Sequence, residues 1–376
     1  MSETRRFRLL YLVTEDWYFR SHRLPMARAA RAAGFEVVVV CRVGQQRAAI
    51  EAEGFRVIPL DWQRRGNGLL ATVGAIRAIF GIYRREQPDL VHHVAIKPVV
   101  LGGIAAWLAG VPAVINALTG LGFVFIGGGV LRLPVRALMR FVLHRPVSRL
   151  IVQNLDDRDL LVGRGFVPAE RVTVIRGSGI DTEYYQPLSE PAGAVTVAYV
   201  GRMLEDKGVP VLIEAYRLLR ARNIPVRLLL VGTPDPENPT SVLESTLRAR
   251  VAALPGLEWR GAVEDVRTVW AEAHIAVLPS RREGLPKSLM EAAACGRPLV
   301  ATDVPGCREI ARAGENALTV PPDDPAALAA ALEKLICDSS LRTRFGAASR
   351  RLVLSDLAVG PVGICTVGLY RACCGR

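Results

Sequence analysis

The stretch IAVLPSRREGLPKSLMEAAACGRPLVATDVPGCREI, residues 275–310, alternates strand and helix signals within one short span. Its first six residues, Ile275 to Ser280, form an apolar run fit for a short strand, which breaks into the polar turn Arg281-Arg282-Glu283-Gly284. A helix follows: Pro286 suits a first turn, where a missing N–H costs nothing, and Gly296 with Pro298 marks the end. Leu299 to Thr302 begins another buried strand. Strand, helix and strand in this order make the unit of a parallel α/β sheet. Glu283 then stands in the loop at a strand's carboxyl end, and Glu291 lies in the second turn of the helix behind it. Both acids can face one crevice of the kind that binds ligands in open α/β sheets, and the N–H groups of a helix start favour an anion there.

The same grammar runs outward in both directions. Apolar strands are expected at 8–14, 36–41, 89–94, 113–118, 149–154 and 172–175, with helices such as 24–33 and 69–85 between them. The segment QPLSEPAGA (186–194) is rich in Pro, Gly and Ser and reads as a linker. Beyond it strands recur at 195–201, 226–232, 257–261, 275–280 and 299–303. The expected organisation is a first α/β domain at 1–186, a linker at 187–194, a second α/β domain at 195–352 and a tail at 353–376. The apolar run 99–118 is divided by the turn Gly110-Val111-Pro112 into a helix and a strand, so it predicts no membrane span. The N-terminal apolar run is short and ends in Thr14 and acids, which makes it a first strand and not a signal peptide.

A chain of 376 residues with 50% apolar content is long enough for two cores. Its seven cysteines are scattered without C-x-x-C spacing, which argues against a disulfide framework or zinc site and for a reducing cytoplasm. The basic excess is uneven. Up to Glu190 there are 25 basic and 16 acidic residues, a net of +9, against 23 and 20 beyond it, and no acid lies between Asp89 and Asp156. Such a balance suits phosphorylated substrates, an anionic membrane or nucleic acid. Within the acid-free region Arg132, Arg136 and Arg140 recur every four residues beside Leu138, Phe141 and Val142, following the apolar cluster Phe123 to Ile126. That face is read either as a membrane-surface helix or as arginines in water.

Gly201-Arg202 and Lys207-Gly208 stand between the first strand of the second half and its helix, where a glycine would admit a ligand to the backbone and two cations would suit a diphosphate, a bland polar loop being the alternative reading. His92 and His93 end a strand, and alternation sends one of them toward the core, so at least one is expected to be a satisfied buried histidine. His22 falls in the loop after the first strand, a candidate substrate contact. Asp156-Asp157-Arg158-Asp159 fits a helix start better than a metal site, so no metal is expected.

The pattern E-G-L-P-x-S-L-x-E-A-x-A-C-G-x-P, with Gly201-Arg202 and Lys207 upstream, resembles the donor site of retaining glycosyltransferases of family 4. HHVAIKP, VQNLDDRDLL, GSGID, VGTPDPENP and DVPGCREI are similar to the branch that builds bacterial capsule, O-antigen and lipid-linked oligosaccharides. The resemblance covers the chain to about Arg351. It implies the GT-B fold, two Rossmann-like domains facing each other across a cleft, the first for acceptor and membrane, the second for the donor. It implies an enzyme that transfers an N-acetylhexosamine from a UDP-sugar donor to a polyprenyl-diphosphate-linked saccharide at the inner face of the cytoplasmic membrane, with no cofactor. Glu283 would contact the donor sugar, Glu291 the ribose, and Arg202 and Lys207 the pyrophosphate, with Gly201, Gly284 and Leu285 also at the donor. Thr119 and Gly120 would join His22 on the acceptor side. Where many members carry a histidine this chain has Leu118, and bulky residues replace the family's glycines after the first strand. A tail ending in Leu369-Tyr370 would cross back to the first domain.

Two rival readings stand beside this one. A GT-B epimerase or phosphorylase shares the lobes, and transfer to a lipid acceptor separates it. A nucleic-acid-binding protein would use the basic charge, but the chain has no helix-turn-helix, RRM or zinc signature and no aromatics interleaved with its basic residues.

Overall fold

The structure, a computed structural model, describes residues 6–62, 68–121 and 133–375. The chain divides into two units, one made of Met1–Gly179 and Val359–Arg376, the other of Ile180–Ala358. The first holds β1 (Arg8–Glu15), β2 (Glu36–Arg42), β3 (Arg56–Pro59), β4 (Leu90–Val94), β5 (Ala113–Leu118), β6 (Ser148–Val152) and β7 (Val172–Val174), in the order β3-β2-β1-β4-β5-β6-β7. The second holds β8 (Val195–Val200), β9 (Val226–Val231), β10 (Leu257–Trp259), β11 (Ile275–Leu278), β12 (Leu299–Thr302) and β13 (Ala317–Val320), in the order β10-β9-β8-β11-β12-β13. Every pairing is parallel. In each sheet the order reverses once, between β1 and β4 and between β8 and β11. There the connections leave in opposite directions and open a crevice at the carboxyl ends.

The strands not foreseen are β3 and β13. Both are four-residue edge strands with partly exposed positions, so neither carries the apolar run that marks a buried strand. β4, by contrast, is buried at all five positions. Its histidines were expected to include at least one buried member, and both are buried, one on each side of the sheet. His92 Nδ1 lies 2.6 Å from the Tyr370 hydroxyl, and His93 Nδ1 lies 2.9 Å from Asn116 Oδ1. Helices cover both faces of a parallel sheet, so neither direction along the strand leads to water.

The Pro- and Gly-rich 187–194 segment is not the boundary between the units. Leu188 donates its N–H to the Cys295 carbonyl at 3.1 Å and packs on the second unit's core. The chain changes unit at Gly179/Ile180 and again at Ala358/Val359. Composition reports what a segment lacks for regular structure, and packing decides where it goes. After the second crossing the helix Val359–Cys373 joins the first unit, where the buried Tyr370 hydroxyl sits 2.7 Å from that of Tyr11.

His22 is also placed differently. It ends a helix, Asp16–His22, that starts directly after β1, and its ring stacks on Tyr18 at 4.3 Å. The helix start is held by the buried Asp16, whose Oδ2 accepts from the N–H groups of Gly44 and Gln46 at 2.6 and 3.0 Å. The run 99–118 forms the helix Ile96–Ala109 and β5, parted by Gly110 at φ +70°. Asp156 and Asp157 lie in the first turn of the helix Leu155–Gly163, whose cap is Asn154 accepting from Asp157 N–H. No helix among the described residues is long and apolar enough to cross a membrane.

Arg132 and the cluster Phe123 to Ile126 lie outside the described residues. Arg136 and Arg140 lie on the helix Leu133–Leu143, which buries Met139, Val142 and Leu143 and exposes Leu133, Leu138 and Phe141. Gly103 lets this helix close on Ile96–Ala109, since a Cβ there would stand 2.2 Å from Val142. The exposed Trp107 ring meets Phe141 edge-on at 5.2 Å, and the Arg145 guanidinium lies over both rings at 5.4 and 5.7 Å. An apolar surface with cationic groups among its rings results.

Candidate functional site

The crevice of the second unit lies between the loops that follow β8 and β11. After β8 the chain passes through Gly201, Arg202 and Lys207 before the helix Val209–Ala221 begins. Gly208 precedes that helix at φ +74°, and a Cβ there would sit 2.0 Å from the Pro279 carbonyl oxygen. Only glycine lets the two loops approach this closely. The approach has a chemical result: Lys207 Nζ reaches Glu283 Oε1 at 2.5 Å, and Ser280 Oγ donates to the same oxygen at 2.7 Å. Thr302 in turn donates its hydroxyl to the Ser280 carbonyl, which steadies the end of β11. Glu283 is 9% exposed and the Lys207 side chain 23%, so the pair is desolvated yet reachable.

Glu291 stands in the helix Lys287–Ala294 and is 7% exposed. Its Oε1 accepts from the Tyr185 hydroxyl at 2.8 Å, with Lys287 Nζ at 3.4 Å. Burial raises the Glu291 carboxyl above its ordinary value, while Lys287 and the Tyr185 hydroxyl pull it down. The Tyr185 phenol is raised, chiefly by burial and then by Glu291.

Of the residues expected at a donor, the structure joins Lys207 to Glu283 directly. Arg202 is turned to Asp235, Nη1 to Oδ2 at 2.6 Å, and its carbonyl accepts from the Tyr199 hydroxyl at 2.8 Å. Glu291 keeps a separate partner set, and the Leu285 side chain is buried in the second unit's core. Gly284 lies against Gly306, where a Cβ would meet the Gly284 carbonyl oxygen at 2.3 Å. In the first unit Thr119 and Gly120 follow β5 at its carboxyl end, while His22 stands a helix away from the end of β1. Ser280, Asp235 and Tyr185 were not foreseen as site residues. Ser280 and Asp235 lie inside stretches already singled out, and a buried tyrosine's need for a hydroxyl partner was the signal for Tyr185.

Chemically, the cluster offers a cation for a phosphate oxygen beside a carboxylate that accepts from vicinal hydroxyls. Among the described residues, no group of three or more His, Cys, Asp and Glu could hold a metal ion.

A model described as glycosyl transferase 4-like matches residues 8–154, and one described as glycosyl transferases group 1 matches residues 194–338. The chain is 25% identical to the capsular polysaccharide biosynthesis glycosyltransferase CapM of Staphylococcus aureus, over 89% of this chain and 90% of that protein. It is 24% identical to the N,N'-diacetylbacillosaminyl-diphospho-undecaprenol alpha-1,3-N-acetylgalactosaminyltransferase of Campylobacter jejuni, over 85% and 87%. Among solved structures, Anabaena HepE in complex with UDP and glucose superposes with a TM-score of 0.78 at 17% identity, covering 98% of this chain and 100% of that one.

Proposed function

Because this chain belongs to the glycosyltransferases of GT-B fold, a glycosyl transferase 4-like domain followed by a group 1 domain, we propose that it is a retaining enzyme that moves an N-acetylhexosamine from a UDP-sugar to a polyprenyl-diphosphate-linked saccharide in bacterial surface-polysaccharide assembly. The observation that carries this reading is the contact of Lys207 with Glu283 across the crevice between β8 and β11. A cation suited to a phosphate and a carboxylate suited to sugar hydroxyls thus lie side by side. Relatives whose names specify capsule synthesis and transfer to a diphospho-undecaprenol acceptor support the pathway and the acceptor.

In this reading Glu283 accepts from donor-sugar hydroxyls, Glu291 from the ribose, and Lys207 with Arg202 meets the diphosphate, for which Arg202 exchanges Asp235 for phosphate. The bond from the anomeric carbon to the phosphate oxygen breaks as the acceptor oxygen bonds on the same face. The acceptor proton passes to the departing phosphate oxygen. Lys207 then faces growing negative charge, so its stabilisation is larger in the transition state than in the ground state. No bound metal is invoked. The exposed apolar and basic surface around Arg136, Arg140, Arg145, Trp107 and Phe141 is assigned to an anionic membrane at the cytoplasmic face, where a lipid-linked acceptor resides.

The test is to incubate the protein with a panel of UDP- and GDP-sugars and vesicles carrying a polyprenyl-diphosphate saccharide, then to determine product mass and anomeric configuration. An α-linked N-acetylhexosamine product from an α-configured UDP donor is expected. A β-linked product overturns retention, and a free epimerised or phosphorylated sugar overturns transfer.

A further inference from the structure

The turn from Asp181 to Tyr185, which follows GSGID (177–181), is held from several sides. Asp181 Oδ1 accepts from the N–H groups of Glu183 and Tyr184 at 3.0 and 2.9 Å, and Tyr185 N–H donates to the Asp181 carbonyl at 2.9 Å. Arg350, on the helix Ser339–Leu352, donates Nη1 to the carbonyls of Tyr185 (2.6 Å) and Ala294 (3.0 Å), and Nη2 to that of Thr182 (3.1 Å). Ala294 is the last residue of the helix that carries Glu291. One guanidinium therefore ties the tyrosine's turn to the acid's helix. The Tyr185 ring, 8% exposed, sits on the second unit's core, and its hydroxyl reaches Glu291 Oε1 at 2.8 Å. A phenylalanine would fill the same core space. The hydroxyl is the part that packing does not require, and it is spent on the carboxylate.

We propose that Tyr185 is a positioning residue for the donor nucleotide, its hydroxyl holding one oxygen of Glu291 so that the other is aimed at the ribose hydroxyls. This rests on the ribose assignment of Glu291. A carboxylate rotating about its last bond presents its two oxygens in many directions, and a fixed donor on one of them removes that freedom before the ligand arrives. The phenol also favours the ionised acid, which alone accepts from two hydroxyls at once. The other groups around this pair are Lys287, one turn back on the same helix, Cys295, Tyr184, Arg267 and Arg350. Burial moves Tyr185 and Cys295 upward, away from the acid range, so neither competes with Glu291 as the group that titrates there.

The experiment is calorimetry of UDP and 2'-deoxy-UDP binding between pH 5 and 8, on the full chain and on Tyr185→Phe, Glu291→Gln and Tyr216→Phe. Tyr216 is the control, a buried phenol of the same unit whose hydroxyl donates to the Pro255 carbonyl at 2.8 Å. Tyr185→Phe is expected to weaken UDP roughly tenfold, to narrow the preference for UDP over 2'-deoxy-UDP, and to move the acid limb of binding to higher pH. Tyr216→Phe should do none of these. Unchanged affinity, ribose preference and pH limb in Tyr185→Phe, with Glu291→Gln impaired, overturns the positioning role alone. Unchanged UDP binding in Glu291→Gln overturns the ribose assignment beneath it, and the proposal with it.

Discussion

The two units share a topology and differ in what they place at the reversal of strand order. In the first, β4 carries His92 and His93, both buried and hydrogen-bonded to the neutral groups Tyr370 and Asn116. In the second, the loop and helix after β11 carry Glu283 and Glu291, each beside a lysine. A doubly wound sheet makes a crevice at this point whatever its residues are. In the first unit the histidines form a neutral network within the sheet itself that supports the fold, whereas in the second the acids beyond β11 leave the crevice charged. The first unit instead shows its cations on the outer surface, with the exposed aromatic rings.

If the charged crevice is the chemical one, Lys207→Ala should show the largest effect. Loss of a cation facing the leaving phosphate is expected to lower kcat by about 100- to 1,000-fold, roughly 2.7–4 kcal/mol. UDP affinity should fall much less. Calorimetry beside steady-state rates checks this, and an affinity loss that accounts for the whole defect would make Lys207 a simple binding residue.

The first unit's surface should respond in the opposite manner. Replacing Arg132, Arg136 and Arg140 together by Gln is expected to lower partition onto anionic vesicles roughly a hundredfold, at about 1 kcal/mol per charge. Turnover of a water-soluble acceptor and UDP affinity should be unaffected. Co-sedimentation that does not change would mean that these arginines only face water.

The smallest and broadest contrast is with pH. Burial depresses His93 from 6.5 to about 4 and holds His92 well below its ordinary value. A depressed histidine is neutral in the fold and binds a proton on unfolding, so stability is lost as pH falls below about 6.5, by up to roughly 3 kcal/mol for His93 near pH 4. Glu291 has the other sign. Its raised carboxyl makes the folded state bind the proton more tightly, so acid relieves its burial and stability falls as pH rises through its folded value. Hydrogen exchange on acidification should therefore open β1, β4 and β5 before β11 and β12. Glu291→Gln should stabilise the second unit at neutral pH by about 1 kcal/mol, while leaving the acid response of the first unit as it was. Simultaneous opening of both sheets would remove the distinction.

Much of this molecule was legible without coordinates. The apolar runs of β1, β2, β4, β5, β8, β9 and β11 are local signals, because a strand covered on both faces must be apolar along its length. Glu283 beyond a strand and Glu291 within the next helix follow from the turn Arg281 to Gly284, the proline Pro286 and Gly296, all near in sequence. Local signals failed where partners are remote. The 187–194 segment has the composition of a linker, and it is assigned to the second unit by remote contacts, Leu188 with Cys295, Ser189 with Arg297 and Glu190 with Arg342. His22 falls in an expected loop, because the helix that it ends is held by the distant N–H groups of Gly44 and Gln46.

From its sequence alone, this chain is determined to be a pair of α/β units with acids and cations at strand ends, since periodicity and residue type belong to each segment by itself. Which charges meet was decided by the tertiary structure. Lys207 and Glu283 are 76 residues apart, and Tyr185 and Glu291 are 106. They touch because β8 lies beside β11 and because Arg350 draws the turn at Tyr185 onto a helix end. Strand order and long-range hydrogen bonds are properties of the packed whole, settled by which burial leaves the fewest polar groups without partners.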